Sequence, residues 1–577
     1  MRPVALVVVS SALLFLFGPA GPHLQACSAS ALSTGVLVDE FYPSAPDGAE
    51  YFVLVCTTYQ IPLDGWSVSD GEGTICFDGG RVLSAGERLV VSSDPSSYMA
   101  AYGDSPDIGL DGTFGDGLFT LSGTFRLADA GDQLAVIGPD GSVSDVAAFG
   151  DSLLPTVGWT GEPLPAPRDG EVFRRIGGPS GPEDTDSAVD WFNFRELRYG
   201  CTEWAPVSAT VYAGQLTAFV SPECSLDTVL REVESAESSI RLCAYEASSP
   251  EVCAALVSAI GRGVSVKVFV DGSPAGGISE DGIAFLSVLE AAGADVREFT
   301  TVQEGSVRHV LALHSKYMVV DSRRSVVLSE NFVDGGLPSD IAFGNRGWGV
   351  AFTSSFLSTY LASVFDDDCR LDRKDVLDWG LDPRNDPAAS LSHDDVPDRM
   401  VFAPLPMVSS EDARVLLELS PDCSLTEPYL CPLVRGSASL LVEQFQADLS
   451  WESRWTGSEY MSPILSAVGS MILAGGGASV LLDSSWFNLE RNSAVAASIT
   501  AAGAEARLLA GSSPVTVLHN KGLVMDGCAS VISSNNWVSA SFARNRELAA
   551  GGTSVEVARY FSEVFAADWA PDVSPPD

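Results

Sequence analysis

Between about residues 34 and 165 the apolar positions fall in short runs, GVLVDEFY, EYFVLVC, ERLVVSS, GTFRLAD and DQLAVIG, separated by clusters of Gly, Asp, Pro and Ser. Helical periodicity is missing, so the pattern predicts a small all-β sandwich over 34–165. Residues 166–212 are rich in Pro, Gly, Asp and Arg and predict a linker. Within it, Asp184 to Asp190 places three acids close together. That run lacks the Gly and distal Glu of a calcium loop, and a solvated segment is the simpler reading.

Beyond the linker the pattern changes and repeats itself. Ser221-Pro222-Glu223-Cys224-Ser225-Leu226 returns as Ser420-Pro421-Asp422-Cys423-Ser424-Leu425, an offset of 199 residues. GVSVKVFVDG from 263 is matched by GASVLLDSS from 477, and AAGADVREF from 291 by AAGAEARLL from 501, offsets of 214 and 210. Each copy reads as strand, helix, a buried strand ending at Asp271 or Asp483, then a second helix and a further strand. The prediction is two pseudo-symmetric α/β halves, at 213–372 and 400–570.

The N-terminus carries Arg2, an apolar run from Val4 to Phe17 and small residues up to Ala26. This is the pattern of a secretory signal over 1–26, shorter than a bilayer span, and predicts a protein outside the cytoplasm, secreted or held at the outer face of the membrane. Cys27 loosely resembles a lipidation site. The other ten of eleven Cys are compatible with disulfides or with buried thiols, and Cys56 and Cys76 form one candidate bridge. The balance of 76 Asp+Glu against 33 Lys+Arg, a net charge of −43, disfavours a dedicated duplex-DNA binder or a long-range attraction to anionic membranes.

That charge makes one pattern conspicuous. Lys occurs only at 267, 316, 374 and 521, and there are five His. Yet HSKYMVVD holds His314, Lys316 and Asp321, and HNKGLVMD holds His519, Lys521 and Asp526, at matching places in the two copies. An imidazole two residues from an ammonium on a strand shares its face. Such a pair suits a phosphate anion and repels a divalent cation, so neither a metal nor another cofactor is implied. Polar turns follow each motif, with Ser329 and Asn331 in one and Ser534 and Asn536 in the other, residue types that donate to phosphate oxygens. His309 and His393 have no such frame and read as surface residues. Asp366-Asp367-Asp368 reads as a solvated helix end, and Glu443 and Trp451 as either pocket-lining or packing groups.

The paired motifs resemble the phospholipase D superfamily over about residues 213–570. Asp39-Glu40, Glu50 to Leu54, Leu63-Asp64-Gly65-Trp66 and Ala85 to Val91 resemble the lamin-tail domain, an immunoglobulin-like sandwich. The first resemblance implies a phosphodiesterase, hydrolase or phosphatidyltransferase, acting through a phosphohistidine. His314 and His519 would be the catalytic pair, and Lys316, Lys521, Ser329, Asn331, Ser534 and Asn536 would hold phosphate. Asp321 and Asp526 belong to the same catalytic motifs, where the family uses the acid mostly structurally. Asn345-Arg346 and Asn545-Arg546-Glu547 also fit, with Gly347 standing where the second half has Glu547. Glu547 is thereby expected to serve His519, making it the general acid and His314 the nucleophile. The expected partner is a phospholipid head group, bound by a monomer with both motifs in one site. A nuclease of the same superfamily and a non-catalytic surface-binding protein are the alternatives.

Overall fold

The computed structural model describes residues 35–570, except 47, 103, 111–118, 153–156, 179–180, 193–195, 199–200, 206, 211–214, 301–306, 340–343, 392–406, 423–429, 454–457 and 510–514. The signal segment, Cys27 and His393 lie outside the described residues, and no helix among them is long and apolar enough to cross a membrane.

The N-terminal region is all-β. One five-stranded sheet contains Val36–Tyr42, Tyr51–Cys56 and Arg88–Ser92, and a second contains Gly131–Ile137, Val143–Gly150 and Thr74–Gly79. Alternate residues such as Val36, Val38, Phe52, Leu54, Leu134 and Val136 point between the sheets, as the period of two requires. The region thus fits an immunoglobulin-like sandwich.

Two expectations fail here. The stretch after 165 is no solvated linker: Phe173 pairs with Phe41, and Trp191 is fully buried in the sandwich core. Its acids are neutralised from within, because the buried Arg175 contacts Asp145, Asp184 and Asp190 at 2.7, 3.3 and 3.6 Å. Cys56 and Cys76 are free thiols on strands of different sheets, and Cys224, Cys243, Cys253, Cys369 and Cys528 are free as well. Facing sheets stand roughly 10 Å apart, beyond the Cα reach of a disulfide unless the two side chains meet.

The remainder is one α/β plan built twice. In the first half the strands are β1 (Leu216–Ser221), β2 (Ser239–Ala244), β3 (Ser265–Asp271), β4 (Asp295–Phe299), β5 (Tyr317–Val320), β6 (Arg324–Leu328) and β7 (Gly344–Thr353). The second half supplies β8 (Arg414–Ser420), β9 (Ser439–Gln444), β10 (Gly477–Leu482), β11 (Glu505–Leu508), β12 (Val515–Leu518), β13 (Lys521–Met525), β14 (Ala529–Ser533) and β15 (Glu547–Thr553). Sheet order is β4-β3-β2-β5-β6-β7-β1 in one and β11-β10-β9-β13-β14-β15-β8 in the other, the same order twice.

Helices cover these sheets because their apolar residues recur on one face. α1 (Ser225–Glu234) buries Leu226, Val229 and Val233. α2 (Pro250–Gly261) starts with Pro at its first position, where a missing N–H costs nothing, and Ser249 caps Val252. α3 (Glu280–Ala292) ends at Gly293, whose φ of 103° closes the helix in the left-handed region. The final helices of the halves, α4 (Ser355–Asp368) and α5 (Val555–Trp569), send Phe365 and Phe561 into a core shared by both sheets. Trp348 stacks on Phe561 there at 4.4 Å.

Candidate active site

The two His motifs meet because each is stitched to the other half. Leu313 pairs with Arg546 as a parallel bridge, and the His314 N–H donates to the Arg546 carbonyl at 2.9 Å. In the mirrored position Arg346 on β7 pairs with Leu518 on β12. The acids that end the central strands anchor the same segments: Asp271 accepts from the Leu313 N–H at 2.8 Å, and Asp483 from the Leu518 N–H at 3.2 Å. Beneath them lie two buried ionic clusters. Arg346 grips Glu223 and, from the other half, Asp568, the latter at 2.6 Å. Arg546 grips Asp422 and, from the other half, Asp368 at 2.8 Å. Breaking one partner of such a pair leaves an uncompensated buried charge, a loss of about 3–5 kcal/mol.

Two surface readings are corrected by these clusters. Asp368 is buried between Arg546 and His309, and His309 is itself buried with its Nδ1 2.6 Å from Asp375. Glu443 and Trp451 are also interior. Glu443 accepts from the Asn520 amide at 3.1 Å, and Trp451 stacks on Phe542.

Each His sits just before its strand, with its Lys at or near the strand start. The Lys316 and Lys521 ammonium groups each donate to the carbonyl of their own motif His at 2.5 Å, leaving two N–H donors apiece. An aromatic ring backs each pair: Tyr245 lies 4.9 Å from His314, and Phe445 lies 4.7 Å from His519. Burial pushes Lys316 down to about 8 and Lys521 well below its usual range. Glu547 and Glu330 pull both Lys groups the other way, but burial outweighs them, so a bound phosphodiester would favour their charged forms.

The carboxylates cross between halves, which overturns the expected pairing. Glu547 Oε2 lies 2.8 Å from His314 Nδ1 and not on His519. His519 instead has Glu330 Oε2 at 3.3 Å from its Nδ1, too poorly aligned for a hydrogen bond. The reason is the parallel bridge that sets the start of β15 beside Leu313 rather than beside its own motif. Glu330 was missed as the His519 partner because nothing in spacing along one half reports on contacts across it.

A signal for Glu330 did exist in the paired copies. Half one has Glu330 with Gly347, and half two has Asn535 with Glu547. A Cβ on residue 347 would stand 2.3 Å from the Glu330 Cγ, so the glycine makes room for a carboxylate arriving from the neighbouring strand. Asn345 and Asn545 steady the two acids, at 3.4 and 3.1 Å.

Two further candidates, Ser534 and Ser329, change meaning, while Asp321 and Asp526 take the structural place expected of them. Ser534 spends its single O–H on Glu547 at 2.5 Å while accepting from the Leu548 N–H, and Ser329 spends its own on the Trp348 carbonyl. Neither hydroxyl proton is left for phosphate. Asp321 and Asp526 lie at the far ends of the strands from the His residues. Asp321 accepts backbone N–H groups of Glu237, Ser238 and Ser239, and Asp526 those of Ala438 and Ser439. Their role is to fix where β2 and β9 begin. Asn331 gives one amide N–H to Glu246 at 2.7 Å, and Asn536 is buried nearby in sequence to Trp537.

The two imidazoles are therefore unequal. His519 is driven down to about 4 by burial and by the Lys521 ammonium, against the pull of Glu330. His314 is lowered by burial too, but Glu547 opposes this through a real hydrogen bond. Glu547 itself stays below the usual carboxylate range: burial alone would raise it, and His314 and Lys316 outweigh that.

This doubled sheet brings two His/Lys pairs to one interface, a set of groups suited to a phosphate anion. The family model described as "Cardiolipin synthase, PLD-like domain" matches residues 229–353 and 458–569. The two halves thus carry a PLD-like domain, a kind whose members are generally phosphodiesterases or phosphatidyl transferases. Similar solved structures include the phospholipase D family member Nuc from Salmonella typhimurium, 25% identical, covering 28% of this chain and 94% of that one, with a TM-score of 0.23. Phosphatidylserine synthase from Haemophilus influenzae Rd KW20 is 10% identical over 60% of this chain and 84% of that one, with a TM-score of 0.42. No curated protein matches the chain.

Proposed function

We propose that the protein is an exported, metal-independent phosphodiesterase that acts on phospholipid head groups through a phosphohistidine. The observation that carries the reading is the unequal His pair, one imidazole held neutral and the other held by a buried carboxylate, between two half-satisfied ammonium groups. In the first step neutral His519 attacks phosphorus and a P–N bond forms. The P–O bond to the leaving alcohol breaks as His314 gives that oxygen its proton. In the second step His314 removes a proton from water, the water oxygen bonds to phosphorus, and His519 leaves. An alcohol in place of water would give transfer. This assignment reverses the one read from the sequence, because Glu547 serves the other ring.

Support for a lipid over nucleic acid comes from the charge of −43 and from the rim beside His519. Trp486 is 87% exposed and packs edge-on to the half-exposed Phe487, which in turn meets Phe445. Exposed rings of that kind favour a boundary that is apolar on one side and wet on the other.

The test is to incubate purified protein with phosphatidylcholine, cardiolipin and single-stranded DNA side by side, then quench in alkaline denaturant, which preserves the acid-labile P–N bond, and map the labelled peptide. Head-group release with a phosphatidyl group on His519 is the expected result. Cleavage of DNA alone would replace the lipid reading, and no turnover of any ester would favour a binding protein.

A further inference from the structure

The carboxylate on His314 arrives on a segment that the N-terminal region holds. Arg544 to Arg546 run beside Leu311 to His314: the Leu311 N–H donates to the Arg544 carbonyl at 2.7 Å, and the Arg546 N–H to the Ala312 carbonyl at 2.9 Å. Glu547 follows at once, as the first residue of β15. Behind this segment stands Glu196, which is tied to the sandwich. Its neighbours Leu197 and Arg198 pair with Val172 and Glu171, and Leu197 shares an apolar cluster with Tyr42 and Tyr51. The Glu196 N–H donates to the Ala543 carbonyl at 3.2 Å, and its buried carboxylate lies 2.8 Å from Arg544 Nε. Arg168 and Arg198, both on the sandwich side, fix that carboxylate at 2.7 Å each. Thr202 then accepts from Arg546 Nη2 at 2.5 Å.

The first half has no such support among the described residues. Gly344 stands where the second half has Arg544, and the partners of the Arg346 guanidinium, Ser221, Glu223 and Asp568, all belong to the two halves. That segment also delivers no carboxylate, since Gly347 occupies the place of Glu547. Support from the sandwich is confined to the copy that brings an acid to an imidazole. Such an acid works only when its backbone is fixed to within about 0.5 Å. We propose that Glu196 is a positioning residue: through Arg544 it holds the segment that lays Glu547 on His314, which makes the β-sandwich a working part of the active site. The role rests on the proposed phosphodiesterase reading, in which His314 is the general acid.

The experiment uses full-length wild type, Glu196→Gln, Arg544→Gln, Glu547→Gln and the double variant of Glu196→Gln with Glu547→Gln. Each preparation is given phosphatidylpropanol and phosphatidyl-4-nitrophenol in identical detergent micelles. The ratio of the two kcat/KM values is read, so any loss of folded protein cancels. Arg544→Gln leaves Glu196 paired with Arg168 and Arg198, and so breaks the link without stranding a buried carboxylate. Both single changes should lower the propanol-to-nitrophenol ratio by about tenfold, chiefly through kcat, well inside what a misplacement of about 1 Å can cost. In the Glu547→Gln background, Glu196→Gln should change the ratio by less than about twofold, because the link then has nothing to deliver. A ratio unmoved by either single change, or one that falls equally whether Glu547 is intact or replaced, overturns the inference.

Titration of the His314 ring by NMR on isotope-labelled histidine gives a reading independent of turnover. Lys316, Lys521 and Tyr245 also face that ring, and every variant retains them. Glu547 favours the charged ring, so loosening it should move the His314 titration to lower pH in both single variants. Through space alone the two changes would act in opposite directions, since one removes a negative charge and the other a positive charge. A shared shift to lower pH is therefore the mark of the link, and shifts of opposite sign overturn it. If wild type cleaves both esters while ratio and titration stay put, this inference alone fails. If wild type cleaves neither ester, the phosphodiesterase reading fails, and the titration still decides whether Glu196 sets Glu547 on His314.

Discussion

Replacing Glu547 by Gln keeps the size of the side chain and removes the charge that faces His314. The Oε2 to Nδ1 separation is 2.8 Å, and the centres of charge on carboxylate and imidazolium lie further apart, at roughly 4 Å. With an effective dielectric of about 20, that gives an attraction of about 4 kcal/mol. The sign follows directly. Glu547 favours the protonated ring, so its loss lowers the pH at which His314 gives up its proton. The descending limb of the pH–rate profile, which reports loss of the general acid, should move to lower pH. At neutral pH an ester with an alkyl leaving group should lose about 10²–10³-fold in kcat/KM, within the usual worth of a general acid. A 4-nitrophenyl ester, whose leaving group departs unprotonated, should lose less than tenfold. The assay is kcat/KM for both esters from pH 5 to 9, with thermal unfolding to verify folding; Ser534 can still donate to the Gln oxygen. Equal losses on the two esters, or a descending limb that stays in place, would refute the assignment of His314 as acid.

Gly522→Ala should destabilise the fold by about 1–3 kcal/mol, seen as a lower urea midpoint, because the new Cβ would stand 2.4 Å from Trp348, which is locked on Phe561. Asp321 is held down at about 2 by backbone donors that outweigh burial, so its stabilisation is full above about pH 4 and lost as pH falls through 2. Asp321→Asn should accordingly flatten the acid-unfolding curve in that window, and an unchanged curve would remove Asp321 from the fold's anchors. Activity should survive EDTA, since the site pairs imidazole with ammonium; full loss restored by one divalent ion would sink that chemistry. Mixing full-length His314→Ala and His519→Ala proteins should restore no turnover, because one chain supplies both rings. Recovery on mixing would mean that sites form between chains.

The duplicated sheets were legible in the sequence because buried strands and amphipathic helices leave periodic marks, and the same marks occur at nearly constant offset. His314, Lys316, His519 and Lys521 were legible for a different reason: with so few Lys and His, their spacing could hardly arise twice by accident. What stayed hidden was everything decided across the interface. Glu547 could be assigned to the wrong ring, and Glu330 overlooked as a partner of His519, because bridges such as Leu313 to Arg546 join residues 233 positions apart. His309 and Asp368 escaped for the same reason, since a lone polar residue gives no sign of a buried guanidinium waiting in the other half. The Ser hydroxyls misled because residue type reveals donor capacity but not where the single proton is already spent.

The crossing of the carboxylates also has a meaning in time. A chain emerging N-terminus first completes the first half, with His314 and Lys316 in place, long before Glu547 and His519 exist. Until then His314 lacks the carboxylate that holds its proton and any second imidazole to attack phosphorus. On the proposed mechanism the protein is thus silent throughout its own synthesis, and a fragment cut anywhere between the halves would be silent as well. Turnover would then begin only when the last strand of the second half docks, and would itself certify a completed fold.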